Sequence, residues 1–135
     1  MDLEPCADGA GQKIWGGSLK PGKRIARVRF VDEKLFAAYS QLKRGNFEEK
    51  ELAASLEKAI TDLKCDPLSG IKIPSRLWPK EYVRKYGIDN LRKYNLPRGW
   101  RVVYTIVGDE IEVISVLLEW FDHKDYGRRF GYQQR

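Results

Sequence analysis

Apolar and polar positions alternate through "IARVRFV", residues 25 to 31: Ala26, Val28 and Phe30 fall on one side, Arg27 and Arg29 on the other. A period of two predicts a strand with one covered face. Asp32 then stands where an N-cap belongs, and Leu35, Phe36, Tyr39 and Leu42 share one side of a helix that Gly45 is expected to stop in a left-handed conformation. Asn46 with Glu49 three residues on is a variant of the capping box. It opens a longer helix, with Leu52, Leu56, Ile60 and Leu63 in one stripe, before Asp66 and Pro67 end it. Two helices with so short a turn between them form an antiparallel hairpin.

From Leu68 to Pro97 the pattern breaks up, because Pro74, Pro79 and Pro97 interrupt any long element and "KEYVRKYG" supports only a short helix. Regularity returns in "WRVVYTIV", residues 100 to 107, and "EIEVISVLLEWF", residues 110 to 121, with a tight turn expected at Gly108 and Asp109. These read as a hairpin of two long strands. The second is apolar on both sides through its middle, which places it near the centre of a sheet. The predicted fold is α+β: an N-terminal strand, then an antiparallel helical hairpin packed on one face of a mainly antiparallel sheet of four to five strands. Trp100, Val102, Tyr104 and Ile106 form the fully apolar side and should lie beneath the helices. Arg101, Val103, Thr105 and Val107 should then line a face left open, with Arg101 in mid-sheet.

At 135 residues the chain supports one core. Residues 1–23 hold five glycines and no periodicity, and are expected to be a flexible or loosely docked leader before a single domain over residues 24–135. No apolar run approaches the roughly 20 residues a bilayer span needs, and the start lacks a secretory pattern, so a cytoplasmic protein without a membrane partner is expected. Cys6 and Cys65 make neither a disulfide framework nor a metal site and are taken as incidental thiols. No glycine-rich phosphate loop with its lysine, no paired-cysteine motif and no serine triad is present, so no cofactor and no metal is implied.

Charge sharpens the picture through its position. The net charge is +6, yet between Ile71 and Tyr104 nine cations stand against only Glu81 and Asp89. So concentrated a field attracts polyanions, unless it is simply a solvated face. Trp78, Tyr82, Tyr86 and Tyr94 lie among those cations and could stack on single-stranded RNA or fill a satellite core.

The order of parts — helical hairpin, "PLSG" loop at 67 to 70, basic segment, "RGWRVVYTI", Gly-Asp turn, "EIEVISVLLEW" and "HKDY" — resembles the toxins of the RelE/ParE superfamily over roughly residues 25 to 132. The resemblance implies a RelE/ParE-like fold and a type II toxin, in many members a metal-free mRNA interferase: an endoribonuclease that cuts messenger RNA on the ribosome and is restrained by a cognate antitoxin peptide. Arg101 matches the family arginine that contacts the scissile phosphate, and Tyr126 resembles its C-terminal tyrosine. Arg92 and Lys93 sit where basic residues of the preceding strand occur. Trp120 stands where the best-known ribonucleases carry another arginine, while His123 with Tyr126 looks more like the branches that use a C-terminal histidine.

Metal-free RNA cleavage needs a base for the 2′-hydroxyl, an acid for the 5′-oxygen and fixed positive charge for the transition state. His123, the only histidine, can serve as base or acid near neutral pH, or be a solvated side chain on a tail. Tyr126 is the candidate acid or a stacking platform, and with Phe130 and Tyr132 could anchor the tail. Arg101, helped by Lys124 or Arg128, would stabilise charge on the non-bridging oxygens. Lys72, Arg76, Arg92, Lys93 and Arg98 are expected to grip RNA. The alternative is a non-catalytic module of the same fold that binds RNA or inhibits a protein target such as gyrase. Convergence of Arg101 and His123 separates the two.

Overall fold

The computed structural model describes residues 25–109 and 112–130. The leader expected over residues 1–23, Cys6 and Tyr132 lie outside them.

Strand β1 (Ile25–Phe30) is followed by α1 (Glu33–Lys43) and α2 (Phe47–Cys65). The two-residue β2 (Ile71–Lys72), α3 (Lys80–Tyr86) and β3 (Arg92–Asn95) come next, then β4 (Arg101–Gly108), β5 (Glu112–Phe121) and α4 (His123–Phe130). The class is α+β, as the pattern predicts. The five strands form one mixed sheet in the order β1-β5-β4-β3-β2. Only β1 with β5 is parallel, so β5 is an interior strand covered by neighbours on both edges.

Local chemistry sets the helix starts. Asp32 accepts a hydrogen bond from Leu35 N–H (2.9 Å). Asn46 and Glu49 exchange both bonds of a capping box, at 2.8 and 2.9 Å. Asn46→Ala removes one of them and is expected to lower stability by about 1 kcal/mol, measured by urea unfolding. Gly45 does not take the left-handed conformation expected of it: α1 ends at Arg44, at φ −105°. Glycine is needed there for space, since a Cβ would fall 1.9 Å from the Glu49 carboxylate that closes the box.

One core lies between the hairpin α1–α2 and the sheet face carrying Val28, Phe30, Val102, Tyr104 and Leu117. Trp100 and Ile106 pack against its rim, as their alternation predicts. Tyr104 donates to Pro67 O (2.6 Å) and accepts from Gly70 N–H (3.0 Å), which ties the loop after α2 to the sheet. Burial pushes the Tyr104 hydroxyl up to about 12.

The opposite face is not open, which corrects the expectation drawn from the hairpin. Leu91, Val103, Leu118 and Phe121 form a second core there with Tyr82 of α3 and with Tyr126 and Phe130 of α4. A register shift makes room for it: Val103 pairs with Glu119 and Tyr104 with Leu117, leaving Leu118 as a bulge residue. The β4–β5 turn also falls later than Gly108-Asp109, since Gly108 pairs with Val113 and Asp109 N–H donates to Glu112 O (2.9 Å). Cys65 is disulfide-bonded, which overturns its reading as an incidental thiol. Among the described residues no helix is long and apolar enough to cross a membrane.

Candidate functional site

Arg101 opens β4, the central strand, and pairs across β5 with Phe121, the last residue of that strand. It therefore sits at one end of the sheet and not in its middle as expected. Asp122 follows Phe121 at once and caps α4, accepting from Asp125 N–H through Oδ1 at 2.8 Å. That cap turns the chain and places His123 in the first position of α4, beside Arg101. The approach is close because Gly99 lies opposite: at φ +80°, a Cβ there would meet His123 Cβ at 3.2 Å.

Arg101 Nη1 lies 3.3 Å from His123 Nδ1. A guanidinium has only donors, so this contact is a hydrogen bond when Nδ1 carries no proton. Arg101 also donates to Gly99 O at 3.3 Å. Its Nε is buried with no hydrogen-bond partner, and no carboxylate pairs with it among the described residues. Glu112, at the far end of β5 from Phe121, faces Arg27 at 3.6 Å.

Tyr126 lies beneath this pair. Its ring centroid is 4.7 Å from Arg101 Cζ and 5.0 Å from Lys93 Nζ. Two cations thus share one aromatic platform, which stacks in turn on Phe130 at 4.5 Å. Tyr126 is 1 % exposed and its hydroxyl oxygen is buried, so the ring, and not a solvent-facing hydroxyl, forms part of the site. Lys93 stands opposite Val103 and so shares Arg101's face. Burial first, and then the neighbouring Arg101 charge, hold its ammonium below the usual lysine pKa.

The other cations divide between the two faces of the sheet. Arg92, one residue before Lys93, points to the hairpin side and donates to Gly70 O (2.7 Å) and Leu68 O (3.4 Å). Lys72 pairs with Arg92 across the strands and shares that side. Arg98 forms an ion pair with Glu51 of α2 at 3.3 Å. Lys72 and Arg92 are turned away from Arg101 because successive residues of a strand point to opposite faces, and Arg98, in the turn Pro97–Gly99, is held toward α2 by its ion pair. Arg76 is exposed in the turn at Ser75–Leu77. Lys124 and Arg128 are exposed on α4, Arg128 in an ion pair with Asp125.

The aromatic residues of the basic segment are mostly structural. Tyr82 is buried in the second core and donates to Glu119. Tyr94 donates to Asp62 of α2, and Trp78 Nε1–H to Ile73 O at 2.8 Å. Trp120 faces the hairpin side, where it lines a cavity with Trp100 and Leu52, away from Arg101. Comparison with family models, curated proteins and solved structures finds no match to this chain.

The cluster of Arg101, His123, Lys93 and Tyr126 therefore offers a guanidinium without a carboxylate partner among the described residues, an imidazole beside it, and a lysine whose proton is held less tightly than usual. It can bind an oxyanion at Arg101 with the imidazole beside it. Arg129, which the sequence reading passed over, anchors α4 by reaching Glu81 at 3.0 Å and Glu119 at 3.3 Å. Its signal was faint: the buried Tyr126 and Phe130 stand four residues apart, the spacing of one helix face.

Proposed function

We propose that this protein is a metal-free endoribonuclease of the RelE/ParE type, the toxin of a toxin–antitoxin pair, which cuts messenger RNA on the ribosome. The observation that carries the reading is the 3.3 Å approach of Arg101 Nη1 to His123 Nδ1. The two groups meet at one point, so a phosphate held by Arg101 displaces its contact with His123 and frees the Nδ1 lone pair next to that phosphate. A base so placed suits the 2′-hydroxyl of the preceding ribose.

In the proposed reaction the 2′-oxygen attacks phosphorus and the P–O5′ bond breaks, leaving a 2′,3′-cyclic phosphate and a 5′-hydroxyl. His123 takes the 2′ proton. Lys93, whose ammonium pKa is lowered, gives a proton to the departing 5′-oxygen. Arg101 stabilises charge on the non-bridging oxygens, and Tyr126 holds both cations in place through its ring. Lys124 and Arg128 border the site from α4 as phosphate contacts. Arg76 together with Lys72, Arg92 and Arg98 would serve a longer RNA or the ribosome from outside the reactive cluster.

Controlled expression tests the proposal. Growth is expected to stop and messenger RNA to be cut within ribosome-protected codons, with Arg101→Ala and His123→Ala each relieving both effects. Co-expression of a cognate antitoxin would also relieve them. Growth and message left intact by the wild-type protein would refute the nuclease reading and leave a binding module of the same fold.

A further inference from the structure

The cavity that Trp100 and Trp120 line on the hairpin side measures about 780 Å³, within the size range of ligand pockets. Both indoles are half-buried, and Leu42 and Leu52 complete the apolar wall. The rim is acidic in a chain of net charge +6: Glu48, Glu49 and Glu51 stand against the single guanidinium of Arg98. Glu49 is committed to the capping box and Glu51 to Arg98, while Glu48 makes no ion pair among the described residues. Indoles beside carboxylates select an organic cation, and a guanidinium above an ammonium, because its plane stacks on a ring while its fork meets a carboxylate. Arg98 already shows the pairing. Its Nη2 lies 3.3 Å from Glu51 Oε1, with the two side chains 67 % and 40 % exposed, so the contact is weak enough to exchange. A second cavity of about 510 Å³ shares Leu42, Glu49 and Trp120 with the first, which extends the groove beyond the reach of one side chain.

One residue of the chain joins this groove to the reactive pair. Pro97, Arg98 and Trp100 line the groove, whereas Gly99 between them lies against the cluster: its carbonyl accepts from Arg101 Nη1 at 3.3 Å, and a Cβ there would meet His123 Cβ at 3.2 Å. Arg98 is the only non-glycine residue at positive φ among the described residues, at +63°, a conformation uncommon for residues with a side chain. Its ion pair with Glu51 holds the turn Pro97–Gly99 toward α2. A ligand guanidinium seated on Glu51 displaces Arg98, and the turn that carries Gly99 loses that hold. We infer that the groove receives an arginine side chain of a peptide partner, and that its occupancy shifts the placement of Arg101 and His123 through Gly99.

Titration of the isotopically labelled protein with N-acetyl-argininamide, followed by NMR, tests this without any RNA. The indole N–H signals of Trp100 and Trp120 are expected to shift on binding, and the Gly99 amide and His123 ring signals to shift with them. Two variants then separate a ligand site from a merely structural ion pair, since both break the Arg98–Glu51 contact. Arg98→Gly keeps the left-handed backbone and removes the internal competitor, so the probe should bind about two- to fivefold more tightly, the equivalent of one exposed ion pair. Glu51→Gln removes the acceptor and should weaken binding by about the same factor. No shift at the two indoles, or variants that move affinity in the same direction, would overturn the site. Shifts confined to the indoles would overturn its coupling to His123.

Discussion

Arg101→Ala is expected to lower messenger RNA cleavage by about 10²–10³, the cost typical of losing one preorganised donor to a transition-state oxyanion. Its cost in stability should be far smaller. Arg101 makes no ion pair among the described residues, and its contact with the Tyr126 ring is worth about 1 kcal/mol at a half-exposed site. Removing it also relieves Lys93 of a like charge. Urea unfolding should therefore separate the two effects, with a nearly unchanged midpoint beside a collapsed rate. Arg101→Lys sharpens the test: lysine keeps the charge but loses the planar fork that can grip a phosphate through two parallel donors. Cleavage by Arg101→Lys at the wild-type rate would show that the directed donors of the guanidinium carry no catalysis.

How much of this site the sequence discloses depends on the range of the interactions involved. Caps and periodic stripes are local, so Asp32, Asn46 and Glu49 mark helix starts that the structure reproduces, and the alternation of residues 25 to 31 and 100 to 107 assigns Val28, Phe30, Val102 and Tyr104 to the core under the hairpin. The covering of the other face is not local. It needs α3 and α4, short elements whose buried residues, Tyr82, Tyr126 and Phe130, are few and far apart in sequence. In a stretch rich in arginine and lysine they look like a polar tail. Nor can alternation through "VLLEWF" reveal that Leu118 is a bulge, because every residue around Glu119 is apolar and either register looks buried. The bulge sets which way Glu119, Trp120 and Phe121 face, and so decides that Phe121 shares the face of Arg101 while Trp120 turns to the hairpin.

The same range argument explains the divided cations. Lys72, Arg92, Lys93 and Arg98 form one basic segment in sequence, yet only Lys93 shares the face of Arg101. A charge count along the chain sums residues that the sheet separates. What survives that separation is a smaller group with a more definite chemistry, built around one buried ring.

That ring supports the second large effect. Tyr126→Ala is expected to cost about 3–5 kcal/mol, because it opens a cavity in a core where Tyr126 is 1 % exposed and touches Phe121 and Phe130. It should also release Arg101 and Lys93 together, so any protein that still folds should cut RNA poorly. Tyr126→Phe distinguishes platform from acid. The ring remains, the hydroxyl goes, and cleavage should stay within about threefold of wild type, whereas loss of a general acid would cost about 10²–10⁴. A drop of that larger size with stability retained would mean that the hydroxyl gives the proton. Because its oxygen is buried beneath the two cations, α4 would then have to lift from the sheet before RNA could be cut. Protection of the α4 amides from hydrogen exchange, with and without bound RNA, would reveal that opening.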